Sequence, residues 1–229
     1  MSSLAQRSCQ DEQMDDPALD EASYSALLAD LARVNSLTLS RRPTLAFVKR
    51  AVGARAQFGL LDVGYGQGDM LRAIARWAAK AGKQARLVGI DINPRSERVA
   101  RAMTPDAAID FRTGDYADLA GGRFDLVISN LVAHHMSEAQ LIAFLRFMER
   151  EARIGWMVND LLRHRLAHFG FPLLARLFGW HRIVREDGTL SIARSFRPAE
   201  WRALLATAGI TEARVVRRFP FRLCVERIR

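Results

Sequence analysis

Three glycines at alternate positions, Gly64, Gly66 and Gly68, lie between two acids, Asp62 and Asp69. Glycine lets backbone approach a ligand with no Cβ in the way. Residues 58–63 form an apolar run with the length and bulk of a buried strand. After the loop, Met70, Leu71, Ile74, Trp77 and Ala78 recur at helical spacing. Strand, glycine loop and helix together open a doubly wound α/β sheet, whose ligands sit at the carboxyl ends of the strands. A tight turn with no ligand is the plain alternative, because turns also select glycine. A dinucleotide fold is another, but its fingerprint is G-x-G-x-x-G with a pyrophosphate on the helix N-terminus. Here the spacing is G-x-G-x-G, and Asp69 takes the place of the third fingerprint glycine. Two carboxylates repel a pyrophosphate. They suit a cationic ligand with an amino group and no phosphate.

S-adenosylmethionine is such a ligand. The run Asp62-Val-Gly-Tyr-Gly-Gln-Gly68 resembles the first motif of the class I S-adenosylmethionine-dependent methyltransferases. Later segments follow that family's order, so the resemblance covers about residues 55–229. Residues 86–91 read as the second strand and end in Asp91. A carboxylate there can accept two hydrogen bonds from ribose hydroxyls, or can cap the helix that Pro94 opens. The resemblance implies ribose, with Ile92 flanking the adenine. Residues 108–113 read as a third strand. Asp115 matches the family's acceptor for the adenine amino group, and Tyr116 would pack near the base. An Asx turn and ordinary packing are the alternatives for that pair. Residues 123–130 read as the fourth strand, and the resemblance puts Asn130 beneath the transferable methyl. The cofactor-binding set is thus Asp62, Gly64, Tyr65, Gly66, Gly68, Asp91, Ile92, Asp115, Tyr116 and Asn130.

His134 and His135 follow that strand. Either can take a proton from a hydroxyl or a carbon acid at neutral pH, which makes them the catalytic candidates. Either can instead be structural, holding the loop by hydrogen bonds. No metal is expected, since adjacent histidines make a poor chelate and the sequence shows no third ligand. Residues 154–158 read as a fifth strand, and Asn159 and Asp160 at its end also face the cleft.

The elements around these groups set the architecture. Two helices with stripes at Leu27, Leu28, Leu31, Val34 and at Phe47, Val48, Ala51 precede the first strand, with Ser40 capping the second of them. Residues 1–16 are polar and acidic and read as disordered. Residues 161–182 are an insertion in blocks of apolar and basic residues. A lid over an apolar substrate, an interfacial helix on anionic lipid, or core with a basic face all fit it. A turn is expected at Glu186-Asp187-Gly188, and a hairpin of two strands ends the chain. The domain reading is a tail and helical cover over 1–54, then a methyltransferase domain over 55–229 with the lid at about 161–182. Its fold class is α/β: a Rossmann-like, seven-stranded, mostly parallel sheet with an antiparallel last strand and helices on both faces.

Composition is consistent with one sizeable domain of 229 residues, 49% of them hydrophobic. No apolar run of about 18 residues is present, so no membrane span is expected. Peripheral membrane contact stays open. Cys9 and Cys224 lie far apart and read as free thiols in the cytoplasm. The net charge of +9 is nearly all arginine and scattered, which reads as a solvated surface and not as a nucleic-acid footprint. The function expected is methyl transfer from S-adenosylmethionine to a small, hydrophobic or aromatic molecule, by a monomer or homodimer. The alternatives are an RNA methyltransferase and a non-catalytic S-adenosylmethionine-binding subunit.

Overall fold

The computed structural model describes residues 4–16, 18–104 and 108–229. Its strands are β1 (Gln57–Val63), β2 (Gln84–Asp91), β3 (Ile109–Thr113), β4 (Phe124–Asn130), β5 (Ala152–Leu161), β6 (Arg214–Arg218) and β7 (Arg222–Ile228). They form one sheet in the order β3-β2-β1-β4-β5-β7-β6. Neighbours from β3 to β5 pair in parallel, whereas β7 runs antiparallel to both β5 and β6. This is the Rossmann-like sheet expected from the sequence. The strand order reverses between β1 and β4, and at such a switch point a crevice opens beyond the carboxyl ends.

Successive residues of each central strand point to opposite faces, so both faces need cover. Leu60, Leu87 and Leu126 pack against Phe47 and Val48 of α2 (Arg41–Val52), Leu71 and Ile74 of α3 (Asp69–Lys80) and Ala100 of α4 (Pro94–Ala102). Their neighbours Leu61, Val88 and Val127 pack on the other face against α5 (Glu138–Glu151) and α8 (Pro198–Ala208). A third cluster lies off the sheet. It joins Leu27 and Val34 of α1 (Glu21–Leu37) to Ala175 of α6 (Arg165–Leu177) and Val184 of α7 (Arg182–Arg194).

Three local readings need correction. The turn expected at 186–188 is the middle of α7. Gly188 serves close packing there, because a Cβ would stand 2.3 Å from the Phe171 ring of α6. The helical pair after β5 therefore runs on to Arg194. Ser40 makes no capping bond from its side chain, since its own backbone is already helical (φ −57°, ψ −32°). Its carbonyl instead accepts from Asn159 Nδ2. Residues 4–16, expected to be disordered, lie against the body of the protein; residues 1–3 fall outside the described part. Leu4 is buried, and the Arg7 guanidinium stacks 3.6 Å above the Phe196 ring. Arg7 also donates to the carbonyls of Arg194, His134 and Met136. These contacts outweigh the polar composition that had argued for disorder.

Candidate functional site

A cavity of about 450 Å³ lies at the carboxyl ends of the central strands. Asp62 of β1, Asn130 of β4, Asn159 of β5 and Arg222 of β7 form its floor. Leu28 and Val34 of α1, Phe171 and Leu174 of α6 and Ile192 of α7 are among the apolar residues that cover it. The cavity walls include Asp62, Gly64, Tyr65, Gly66, Asn130, His134 and His135. Gly68, Asp91, Ile92, Asp115 and Tyr116 are not among the walls.

The glycine loop is built for close approach. Gly64, Gly66 and Gly68 all have positive φ, and a Cβ on Gly66 would meet nothing within 4 Å. Gly68 instead opens α3 and presses on the Phe111 ring, where a Cβ would stand 2.7 Å away. Asp91 braces the loop from behind. Its Oδ2 accepts from Gly66 N at 2.8 Å and its Oδ1 from Asn93 N at 2.9 Å. Burial raises the Asp91 pKa, and the N–H groups of Asn93 and Gly66 with the Ser96 hydroxyl work against that rise. Ile92 is 79% exposed just beyond β2. Asp115 accepts from Ala117 N and starts a short 3-10 turn. The Tyr116 ring packs 4.9 Å from both Phe144 and Phe147. Tyr65 lies on Phe111, ring to ring at 5.0 Å, and its hydroxyl has no hydrogen-bond partner among the described residues.

Asp62 is the most unusual group. It is 1% exposed, and among the described residues neither carboxyl oxygen has a hydrogen-bond partner. Burial first and the charge of Asp69 second push its pKa well above the ordinary value; the Asn130 amide pulls the other way and Asp91 adds a little. The Asn130 Nδ2 beside it is also unpartnered, because its Oδ1 is the atom that accepts from Thr44 and Asn159. A buried carboxylate with both oxygens unused, next to an open glycine loop, fits the ammonium of an amino-acid-bearing cation. The fit of S-adenosylmethionine to this end of the cavity rests on those orphaned atoms.

The histidine loop carries the second feature. His134 Nδ1 lies 2.7 Å from Asp160 Oδ1, and His134 N donates to Asp160 Oδ2 at 2.8 Å. Burial alone would raise the Asp160 pKa, but His134 and the N–H groups of Leu161 and His134 hold it below the usual range. An ionised Asp160 keeps the proton on Nδ1 and leaves Nε2 as the free base. Glu12 Oε1 stands 3.6 Å from that Nε2 and 3.9 Å from His135 Nε2. The third ligand-type group that the sequence did not show is therefore present, carried in by the N-terminal segment, and Glu12, His134 and His135 have ligand atoms within 4.8 Å of one another. Glu12 also accepts from Ser191 Oγ of α7.

Sequence reading named Asp160 only as facing the cleft, and it missed Glu12 and Arg222. Glu12 carries no signal in an acidic tail. Arg222 carries a faint one: a cation that opens the last strand, before the apolar run Leu223-Cys224-Val225.

Residues 60–155 match the family model described as a methyltransferase domain. All the candidate cofactor and histidine residues fall inside that stretch. No curated protein matches the chain. Among solved structures, the magnesium protoporphyrin IX methyltransferase of Synechocystis PCC 6803 with bound SAM is similar at 18% identity and TM-score 0.58, over 95% of this chain and 88% of that one. The plantazolicin methyltransferase BpumL in complex with SAH is similar at 16% identity and TM-score 0.65, over 86% of this chain and 74% of that one. A putative Zn-dependent alcohol dehydrogenase from Rhodobacter sphaeroides is similar at 13% identity and TM-score 0.53, over 78% of this chain and 87% of that one. Such likenesses show the fold. The family match adds the activity class for residues 60–155, a methyltransferase domain.

Proposed function

We propose that the chain is an S-adenosylmethionine-dependent methyltransferase that acts in the cytoplasm on a small apolar molecule, methylating oxygen or carbon. The observation that carries the reading is the cavity. Its acidic end holds the glycine loop, and apolar residues of α1, α6 and α7 cover the rest. A site of this size and lining takes a compact apolar ligand. In this reading residues 1–54 and the helical pair α6–α7 are the cover.

When bound, the donor supplies an electrophilic methyl and its own leaving group. The protein's part is alignment and exclusion of water. Asp62 holds the ammonium, the glycine loop lies along the methionine portion, and Asp91 shapes the loop and accepts from ribose. Asp115, Ile92 and Tyr116 would form the adenine end, and Asn130 would lie beneath the transferable methyl. His134 takes the acceptor's proton at Nε2. Asp160 keeps the tautomer, and Glu12 stabilises the imidazolium that results. His135 stands beside it, ring to ring at 4.3 Å.

Among the described residues no helix is long and apolar enough to cross a membrane. The outer face of α6 nonetheless exposes Phe169, Leu173 and Leu177. The inner face is the one that serves the cavity, through Phe171 and Leu174.

The test is methyl transfer from labelled donor to a panel of aromatic and polyketide-like acceptors and to total RNA. Transfer to a small acceptor, insensitive to salt, is the expected result. Phe171→Ser and Leu174→Ser should raise KM for that acceptor and leave S-adenosylhomocysteine affinity unchanged. Transfer to RNA alone, falling steeply with salt as counterions are released, would overturn the reading. Tight donor binding with no turnover on any acceptor would point to a non-catalytic subunit.

A further inference from the structure

Arg222 is a buried cation with two donor nitrogens unused among the described residues. It is 2% exposed and lines the cavity. Its Nη2 donates to Thr38 Oγ1 at 3.1 Å. Among the described residues its Nε and Nη1 have no hydrogen-bond partner. Burial lowers its pKa to about 10, with Asp160 acting against that fall. Asp160 acts on it only through its charge, which His134 shares at 2.7 Å; no hydrogen bond joins Arg222 to Asp160 among the described residues. Burying a charge unpaired is costly, so a guanidinium kept in this state at a cavity wall marks a place for an anion.

The topology explains where it stands. Strands β1, β4 and β5 end at the cavity, whereas β7 is antiparallel and begins there. Arg222 pairs with Leu161 at the end of β5. A walk along the sheet edge therefore meets Asp62, then Asn130, then Asn159, then Arg222. Three strand spacings, about 14 Å, separate the first from the last. The edge is acidic at the donor end, neutral in the middle and cationic at the far end.

We propose that Arg222 anchors a carboxylate of the methyl acceptor, so that the acceptor is an apolar acid. This rests on the proposed methyl transfer to a small apolar molecule. A single guanidinium with two unused donor nitrogens, Nε and Nη1, balances a monoanion. A phosphate dianion would leave charge uncompensated among apolar walls. The acid group sits at the far end from the donor, and the acceptor atom falls between, near Asn130 and His134.

The test uses matched probes, naphthoate against naphthamide and laurate against lauramide, titrated by calorimetry into the full chain saturated with S-adenosylhomocysteine. The wild type should bind each acid roughly 10- to 100-fold more tightly than its amide, the scale of hydrogen bonds to a charged group. Arg222→Met should abolish that ratio, and Arg222→Lys should keep part of it. Circular dichroism and S-adenosylhomocysteine affinity establish that the variants fold. If Arg222→Met does not fold, the wild-type ratio and the Arg222→Lys ratio decide alone. Equal binding of acid and amide by the wild type, or a ratio untouched by either substitution, overturns the anchor and leaves the apolar-acceptor reading standing. Binding of neither member of either pair overturns that reading, and the anchor falls with it.

Discussion

Asp62→Asn separates stability from function at one atom. The wild-type carboxyl is buried, and neither oxygen has a partner among the described residues. Its folded-state pKa lies well above the ordinary 3.8. For an acid shifted in that direction, folding carries no penalty below the unfolded value. The penalty grows as pH rises and levels off at the folded-state value. Asn at this position carries no charge, so the ligand-free variant should melt higher than the wild type above about pH 4, by an amount that grows with pH. A chain of this size gains about 2–4 °C per kcal/mol. Ligand binding should move the other way. Losing a charge-assisted contact costs about 2 kcal/mol, so S-adenosylhomocysteine affinity should fall roughly 30-fold. Wild-type affinity should itself rise with pH through the acidic range, because the ammonium needs Asp62 ionised. Differential scanning fluorimetry and calorimetry across that range read both effects. A variant that melts lower than the wild type at neutral pH, or one that binds S-adenosylhomocysteine as the wild type does, refutes the argument.

Asp91→Ala removes the brace on Gly66 together with the proposed ribose acceptor, and should cost about 1.5–3 kcal/mol of S-adenosylhomocysteine affinity by calorimetry. Asp160→Asn frees the His134 tautomer and should lower kcat about 10²–10⁴-fold with cofactor affinity intact; normal turnover would remove His134 as the base. Gly188→Ala places a Cβ 2.3 Å from the Phe171 ring and should destabilise the protein by about 1–3 kcal/mol in a denaturant melt.

What could be read from the sequence was whatever depends on nearest neighbours along the chain. The strand into Asp62, the glycines after it and the helix from Met70 are local, and so is the alternation that divides Leu60 from Leu61 between two cores. Gly188 shows the limit. A glycine after two acids reads as a turn, yet here it admits a ring from another helix. The partners of His134 were equally out of reach, since Asp160 lies 26 residues away and Glu12 reaches the site only because the N-terminal segment folds back. Arg222 follows from the topology that was expected: the antiparallel last strand brings its first residue to the edge where the others end.

The arginines also bear on the substrate class. A net charge of +9 raises the question of nucleic acid, but many guanidiniums have internal work. Arg7 and Arg194 both donate to the His134 carbonyl, Arg197 donates to the Leu4 carbonyl and Arg163 to that of Ser195. Loop carbonyls that no strand or helix pairs need such donors, and arginine offers five in a fixed fork. Arg7 and Arg194 tie the N-terminal segment and α7 to the loop that carries His134. In the proposed reading, with the N-terminal segment and α7 as cover and His134 as base, the same arginine bonds hold both, an arrangement suited to sealing a small molecule away from water. A polynucleotide would need the same edge left open.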